Sequence, residues 1–230
     1  MIFSLLTPQD WLAIGLTLRL ATLTVVILLL LGTPLAWWLS HGRCRCKVLV
    51  EALVAMPLVL PPTVLGFYLL VLFAPQGWLG KTWLGVTGET LAFSQAGLVL
   101  ASVLYSLPFV VQPLQRAFEN MGRQPLEAAW LLGASPWDAF RSVAIPMARR
   151  GYLTAAVLGF AHTLGEFGVV LMVGGNIPGR TQVLSIVIYE HVENMAYLQA
   201  HLLSALLLVT SFIFLLLIYV INRPADPEAA

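Results

Sequence analysis

Leu126 to Pro146 reads LEAAWLLGASPWDAFRSVAIP, a polar island set between two apolar blocks of membrane-crossing length. Within it, Glu127-Ala128-Ala129 is followed by Gly133, six residues after the glutamate, and the stretch closes on Val143-Ala144-Ile145-Pro146. Pro125 to Leu132 has helix-forming composition, and Pro125 suits an early helical position, where a missing N–H costs nothing. Gly133 lets the chain turn, as helix-terminating glycines do. Ser135 and Pro136 then make an N-cap and first-residue pair for a second short helix, Pro136 to Val143, which Pro146 ends. The expected product is two short helices joined by a tight corner. Trp130, Trp137 and Phe140 would be its aromatic anchors for a partner, and a loop resting on lipid headgroups is the plainer alternative.

Of 230 residues, 59% are hydrophobic and 10% charged, with a mean hydropathy of +0.88. A soluble domain carries about a quarter charged residues. Five apolar segments approach or exceed the roughly 20 residues that cross a bilayer as a helix. They run from about Leu12 to Leu39, Val48 to Phe73, Leu91 to Leu114, Tyr152 to Val173 and Ala200 to Ile221. The expected fold class is therefore an all-α polytopic membrane protein with about five transmembrane helices. Residues 1–230 read as one transmembrane domain, with the polar loop at 115–150 inside it and a short tail at 222–230.

Positive charge sets the orientation. Arg43, Arg45, Lys47, Arg116, Arg123, Arg141, Arg149, Arg150 and Arg223 fall on one side, against Lys81 and Arg180 on the other and Arg19 near the head of the first span. That bias puts the N-terminus outside and both the polar loop and the C-terminus in the cytoplasm. A net charge of +1 and the lack of a basic, aromatic-interleaved patch give no sign of a nucleic-acid partner.

Two spans carry unusual chemistry. Pro57, Pro61 and Pro62 cannot share one regular helix, because each lacks an N–H and crowds the preceding turn. A break over Leu58 to Leu60 is expected, with a second helix from Pro62 and Thr63 whose free N–H groups could meet an anion inside the membrane; a purely structural kink is the alternative. In the fourth span, His162 and Glu166 lie four residues apart on one helical face, and intramembrane ionisable groups are functional candidates. A carboxylate repels an anion, so Glu166 reads as a gate or packing element bonded to or paired with His162. Gly165 and Gly168 flank it and permit close helix approach, with Phe167 between them.

Catalytic signatures are weak. Gly80-Lys81-Thr82 mimics the end of a phosphate-binding loop, but Pro75 stands where that loop needs glycine. Cys44 and Cys46 make too small a ligand set for a metal and read as separate thiols in a basic loop. No metal site, bound cofactor or catalysis by this chain is expected.

The spacing from Glu127 through Pro146 resembles the cytoplasmic EAA loop of ABC-transporter permeases, met at Glu127, Ala128, Ala129, Gly133, Val143, Ile145 and Pro146. Thr163-Leu-Gly-Glu-Phe-Gly-Val169, Gly175-Asn-Ile-Pro-Gly-Arg-Thr181 and Met56-Pro-Leu-Val-Leu-Pro-Pro62 resemble elements of oxyanion permeases, most of all the molybdate group. The resemblance implies a type I ABC importer permease fold in a bacterial inner membrane. It implies that Glu127, Ala128, Ala129, Gly133, Ala134, Ser135, Pro136, Trp137 and Pro146 couple to an ATPase subunit that uses ATP and Mg. It also implies that Pro57, Pro61, Pro62, Thr63, Gly165, Glu166, Phe167 and Gly168 belong to the pathway or gate. A periplasmic or lipid-anchored molybdate-binding protein would dock at Asn176, Ile177, Pro178, Gly179 and Arg180. Five spans are few for a whole pore, so a homodimer with two ATPases is expected. The competing readings are a permease for sulfate or tungstate, and a secondary transporter or channel that needs no ATP.

Overall fold

A computed structural model of the chain describes residues 6–42 and 44–222; Arg43, Arg223 and all of the expected tail beyond Asn222 lie outside the described residues. Among the described residues every regular element is helical. Helix α1 (Pro8–His41) starts on Thr7, whose hydroxyl accepts the Asp10 N–H at 3.3 Å, while the Asp10 carboxylate accepts the Thr7 N–H at 2.7 Å. This reciprocal cap fixes the helix start. Its 34 residues give a rod of about 50 Å, longer than the roughly 30 Å hydrocarbon core.

The second span is broken, and two consecutive prolines say where. A residue before proline is driven out of the α region. Leu60 precedes Pro61 and Pro61 precedes Pro62, so both adopt extended backbone, with ψ near 135°. Helix α2 (Cys46–Val59) ends there and α3 (Pro62–Phe73) begins, the two bent by 113°. The break is Leu60–Pro61 and not Leu58–Leu60. Leu58 and Val59 stay helical, and Pro57 is held inside α2, where it forgoes one backbone bond. Cys44 and Cys46, expected as separate thiols, are paired sulfur to sulfur at the start of α2.

After the short helix α4 (Trp78–Thr87), helix α5 (Gln95–Met121) is the spine of the molecule. Ser94 caps it through the Gly97 N–H at 3.0 Å, and α5 packs against α1, α2, α9 and α10. The polar loop forms α6 (Gln124–Leu131), α7 (Pro136–Ala139), a π-helical turn at Phe140–Ala144 and α8 (Ile145–Met147). The expected fourth span is not one helix. It is α9 (Arg149–Leu164) and α10 (Gly168–Gly174), bent by 62° across Gly165–Phe167. Helix α11 (Leu184–Glu193) then leads to α12 (Tyr197–Asn222), an apolar span with most of its surface facing outward. Among the described residues three helices are long and apolar enough to cross a bilayer, and the two bent pairs raise that to five. The count matches the five apolar segments.

A buried contact ties α11 to α1. Val183 offers no side-chain cap to α11; instead the Leu184 N–H donates to Thr17 Oγ1 of α1 at 2.8 Å, while Thr17 donates to Ala13 O at 2.7 Å. Thr17→Val should leave that buried N–H unpaired at a cost of about 1–3 kcal/mol. The thermal midpoint of the detergent-purified protein should fall, and Thr17→Ser should restore most of it; equal midpoints for Val and Ser would refute the cap.

Candidate functional site

The polar loop is built on a corner with defined hydrogen bonds. Gly133 has φ +88°, a conformation that side-chain-bearing residues rarely adopt. Its N–H donates to Trp130 O at 3.0 Å, and the Ala134 N–H donates to Ala129 O at 3.0 Å. This pair of bonds is the Schellman closure of a helix, with Ala129 and Ala134 at its apolar contact. Ala129 and Gly133 therefore occupy coupled positions of one cap. Ser135 then accepts the Asp138 N–H at 3.2 Å and starts α7, with Pro136 first in the helix, as its sequence predicts.

Pro146 does not end this second helix. The π-helical turn before it carries the Ile145 N–H to Phe140 O, and this widened turn accommodates the proline, whose ring would crowd a regular turn. The chain breaks two residues later, at Ala148. Phe140 also has another role than the one expected. Its ring packs edge-on against Trp37 of α1 at 4.8 Å, and Trp37 meets Phe118 of α5 at 5.1 Å. With Leu126, Ala139 and Ala144 buried in the same cluster, Phe140 anchors the corner to the spans. The corner's outer side instead offers Trp137, 67% exposed, with Trp130 and the pair Leu131 and Leu132, each 90% exposed. In sequence those leucines do not stand out, because a Leu-Leu pair in an apolar chain carries no signal of its own. Glu127 and Ala128 are exposed beside them.

The second region lies where the two broken spans meet. Pro62, Thr63, Tyr105, Ala161, His162, Gly165, Glu166, Phe167 and Gly168 line a cavity of about 500 Å3. Six of the eight expected pathway residues are thus brought together; Pro57 and Pro61 are not in the lining. A β-carbon on Gly168 would stand 2.9 Å from Pro62 Cβ, so this glycine is what lets α10 close on the start of α3. That start is less rich in free donors than expected. Prolines 61 and 62 have no N–H, and Val64 and Leu65 donate to Pro61 O, leaving the Thr63 amide in the first turn.

Glu166 is 3% exposed and sits in the gap of the fourth span, not on a continuous helical face. Its carboxylate accepts hydroxyls from Ser102 at 2.6 Å and Ser106 at 2.7 Å, both on α5. His162 Nδ1 lies 3.6 Å from the carboxylate and 2.9 Å from the Ser106 hydroxyl, so Ser106 stands between the two groups expected to pair directly. The Ser185 hydroxyl donates to the Glu166 carbonyl, which the helix gap has freed. Ser102 and Ser106 escaped the sequence reading, although their four-residue spacing on an apolar helix marks one polar face.

The third region is the loop after α10. Asn176 donates to Glu190 at 2.7 Å and Gln182 donates to the same carboxylate at 2.6 Å, while Thr181 closes the turn on Gly174 O at 2.7 Å. Asn176 and Ile177 are spent on holding the loop, so Pro178, Gly179 and Arg180 are the expected docking residues left exposed.

Comparison with known proteins fits this geometry. Residues 29–226 match the family described as binding-protein-dependent transport system inner membrane components. The chain is 56% identical over 218 residues, 95% of its length and 96% of the relative's, to the molybdenum transport system permease protein ModB of Azotobacter vinelandii. It is 37% identical over 204 residues, 88% of this chain and 70% of the relative, to a probable sulfate transport system permease protein of Zygnema circumcarinatum. In fold it superposes with TM-score 0.74 on a chain of a bacterial ABC transporter involved in alginate import, at 15% identity, covering 95% of this chain and 82% of the other. The fold is thus that of a type I ABC importer permease.

The Glu166 cluster makes a stability forecast. Glu166→Leu strands the buried Ser102 hydroxyl, at about 1–3 kcal/mol, and leaves Ser106 only His162 and Thr163 as partners; it should lower the thermal midpoint more than Glu166→Gln, which keeps one acceptor. Combining Glu166→Leu with Ser102→Ala and Ser106→Ala should recover much of the loss. Strictly additive destabilisation by the three changes would contradict the network.

Proposed function

This chain belongs to the family of binding-protein-dependent transport system inner membrane components, and from that premise we propose that it is the membrane-spanning permease subunit of an ATP-driven molybdate importer. The observation that carries the choice of anion is the 56% identity to a molybdenum permease across nearly both full lengths, against 37% to a sulfate permease. Two copies form the pore. The N-terminus faces out, and the α6–α7 corner and the C-terminus face the cytoplasm of a bacterial inner membrane.

Each corner seats in a separate ATPase subunit, which binds ATP and Mg; this chain carries no catalysis of its own. Trp130, Leu131, Leu132 and Trp137 supply the apolar contact area, and Glu127 with Ala128 lies on the same exposed side. The Schellman closure at Ala129, Gly133 and Ala134, followed by the Ser135–Pro136 cap, keeps the corner stiff, so partner movement passes to the spans without loss in loop bending. Trp37, Phe118 and Phe140 carry that movement into α1 and α5. Pro146 and the π turn form the return to α9. At the opposite end, Pro178, Gly179 and Arg180 meet the binding protein, which delivers the anion.

The broken spans form the gate. A carboxylate that faced a divalent oxyanion would repel it by Coulomb's law, most strongly where water is scarce. Glu166 is turned to Ser102 and Ser106 and acts as a positioning residue for Gly165, Phe167 and Gly168 against Pro62 and Thr63.

Titrating the ATPase activity of the assembled complex, with its binding protein, against molybdate, tungstate and sulfate tests the substrate. Stimulation by molybdate and tungstate but not sulfate is expected; stimulation by sulfate would move the chain to the sister group. The coupling role has its own check. Gly133→Ala forces a side chain into φ +88°, a strain of about 1–2 kcal/mol, while Glu127→Ala removes a charge from the contact face. Both variants should reach the membrane at normal levels yet retain less ATPase on co-purification and transport more slowly. Normal uptake by both would remove the loop from the mechanism.

A further inference from the structure

Behind the break cavity, on the loop side, α5 and α9 line most of a second, open cavity of about 800 Å3. Phe109 is in its wall, and the Phe109 ring stacks at 3.8 Å on His162, which lines the break cavity. This aromatic stack thus joins the walls of the two spaces. Arg116 from α5 and Arg150 from α9 both line the inner space, with Gln112, Asn120 and Thr154 as its neutral polar groups. Among the described residues its lining contains no carboxylate.

Gly151 brings the arginines to one place. A β-carbon there would stand 2.3 Å from Ala117 Cβ, so the helices touch at Gly151 and Ala117, the immediate neighbours of Arg150 and Arg116. Among the described residues neither arginine is in an ion pair. The nearby carboxylates, Glu51 and Glu119, are engaged elsewhere: Lys47 lies 3.5 and 3.7 Å from them, and Gln115 donates to them at 2.7 and 2.9 Å. Arg150 also stands in the first turn of α9, where the helix macrodipole disfavours a cation. A general bias of positive charge to the cytoplasmic side explains the sign of these residues. It does not explain two unpaired guanidinium groups from different helices converging on one cavity with amides and a hydroxyl.

We propose that this α5–α9 cavity is a binding site for a divalent tetrahedral oxyanion on the release side of the gate, held by Arg116 and Arg150 with Gln112 and Asn120. The proposal rests on the importer reading and names the place where the anion pauses after the Phe109–His162 stack opens. Guanidinium groups suit it, since they offer paired N–H donors in the geometry that oxyanions accept.

The test uses the permease–ATPase complex in nanodiscs without the binding protein, with molybdate or tungstate retained at equilibrium dialysis counted by elemental mass spectrometry. In zwitterionic lipid the native complex should retain anion. Each arginine-to-glutamine change should weaken retention about tenfold, the worth of one charge-assisted hydrogen bond. Arg116→Gln with Arg150→Gln should abolish it, the double lysine variant should keep part, and Lys81→Gln at the far end should change nothing. Equal retention by the native and double-glutamine complexes would overturn the site. Displacement of the anion by phosphatidylglycerol at membrane levels would overturn it too, by making the cavity a lipid-headgroup site. Molybdate stimulation of the native complex's ATPase, measured with binding protein present, reports separately on the importer reading, so the two can fail independently.

Discussion

A helix broken inside a bilayer leaves backbone and polar groups that lipid cannot satisfy, so the protein itself must satisfy them. This chain breaks two spans and meets the demand by packing each break on the other. Gly168 lets α10 close on Pro62 at the start of α3. Ser185 takes the carbonyl of Glu166, and Ser102 and Ser106 take its carboxylate. Removing a carboxylate from water is costly unless its oxygens are hydrogen-bonded, and two short hydroxyl bonds from one helix supply that compensation. The cavity beside the breaks exists because these contacts hold the chain ends apart from a continuous helix.

Helix α5 links that interior to the loop. It supplies Ser102 and Ser106 to the break, Phe109 to the wall below it, Arg116 to the inner cavity and Phe118 to the aromatic anchor of the corner. A displacement of the corner therefore reaches the break along one helix. The corner itself resists bending, because its turn is closed by two backbone bonds and its second helix by a serine cap. A stiff corner anchored on one continuous helix suits coupling to a moving partner.

Much of this was legible in the residues. The five apolar runs correspond to three long helices and two bent pairs, and Gly133, Ser135 and Pro136 take the local roles their chemistry dictates. The proline cluster foretold a break, but its position needed the rule that acts on the residue before proline, which moves it to Leu60–Pro61. The gap at Gly165–Phe167 was not legible from hydropathy, because an apolar run reads the same whether straight or bent. Tertiary bonds from Ser102, Ser106 and Ser185 decide it, and these partners stand far from Glu166 in sequence. Phe140 is ambiguous in sequence for a similar reason: an aromatic residue in a polar loop can face a partner or its own core, and the position of Trp37 decides which.

The claim that most needs testing is that passage through this fold is driven by ATP through the corner. Its most direct measurement is molybdate uptake into proteoliposomes that carry the permease with its ATPase, with the loaded binding protein on the outer side and ATP inside or absent. Uptake that requires both ATP and the ATPase is the expected result. Equal uptake by vesicles holding this chain alone, without ATP, would contradict the account and make the molecule a channel or secondary transporter.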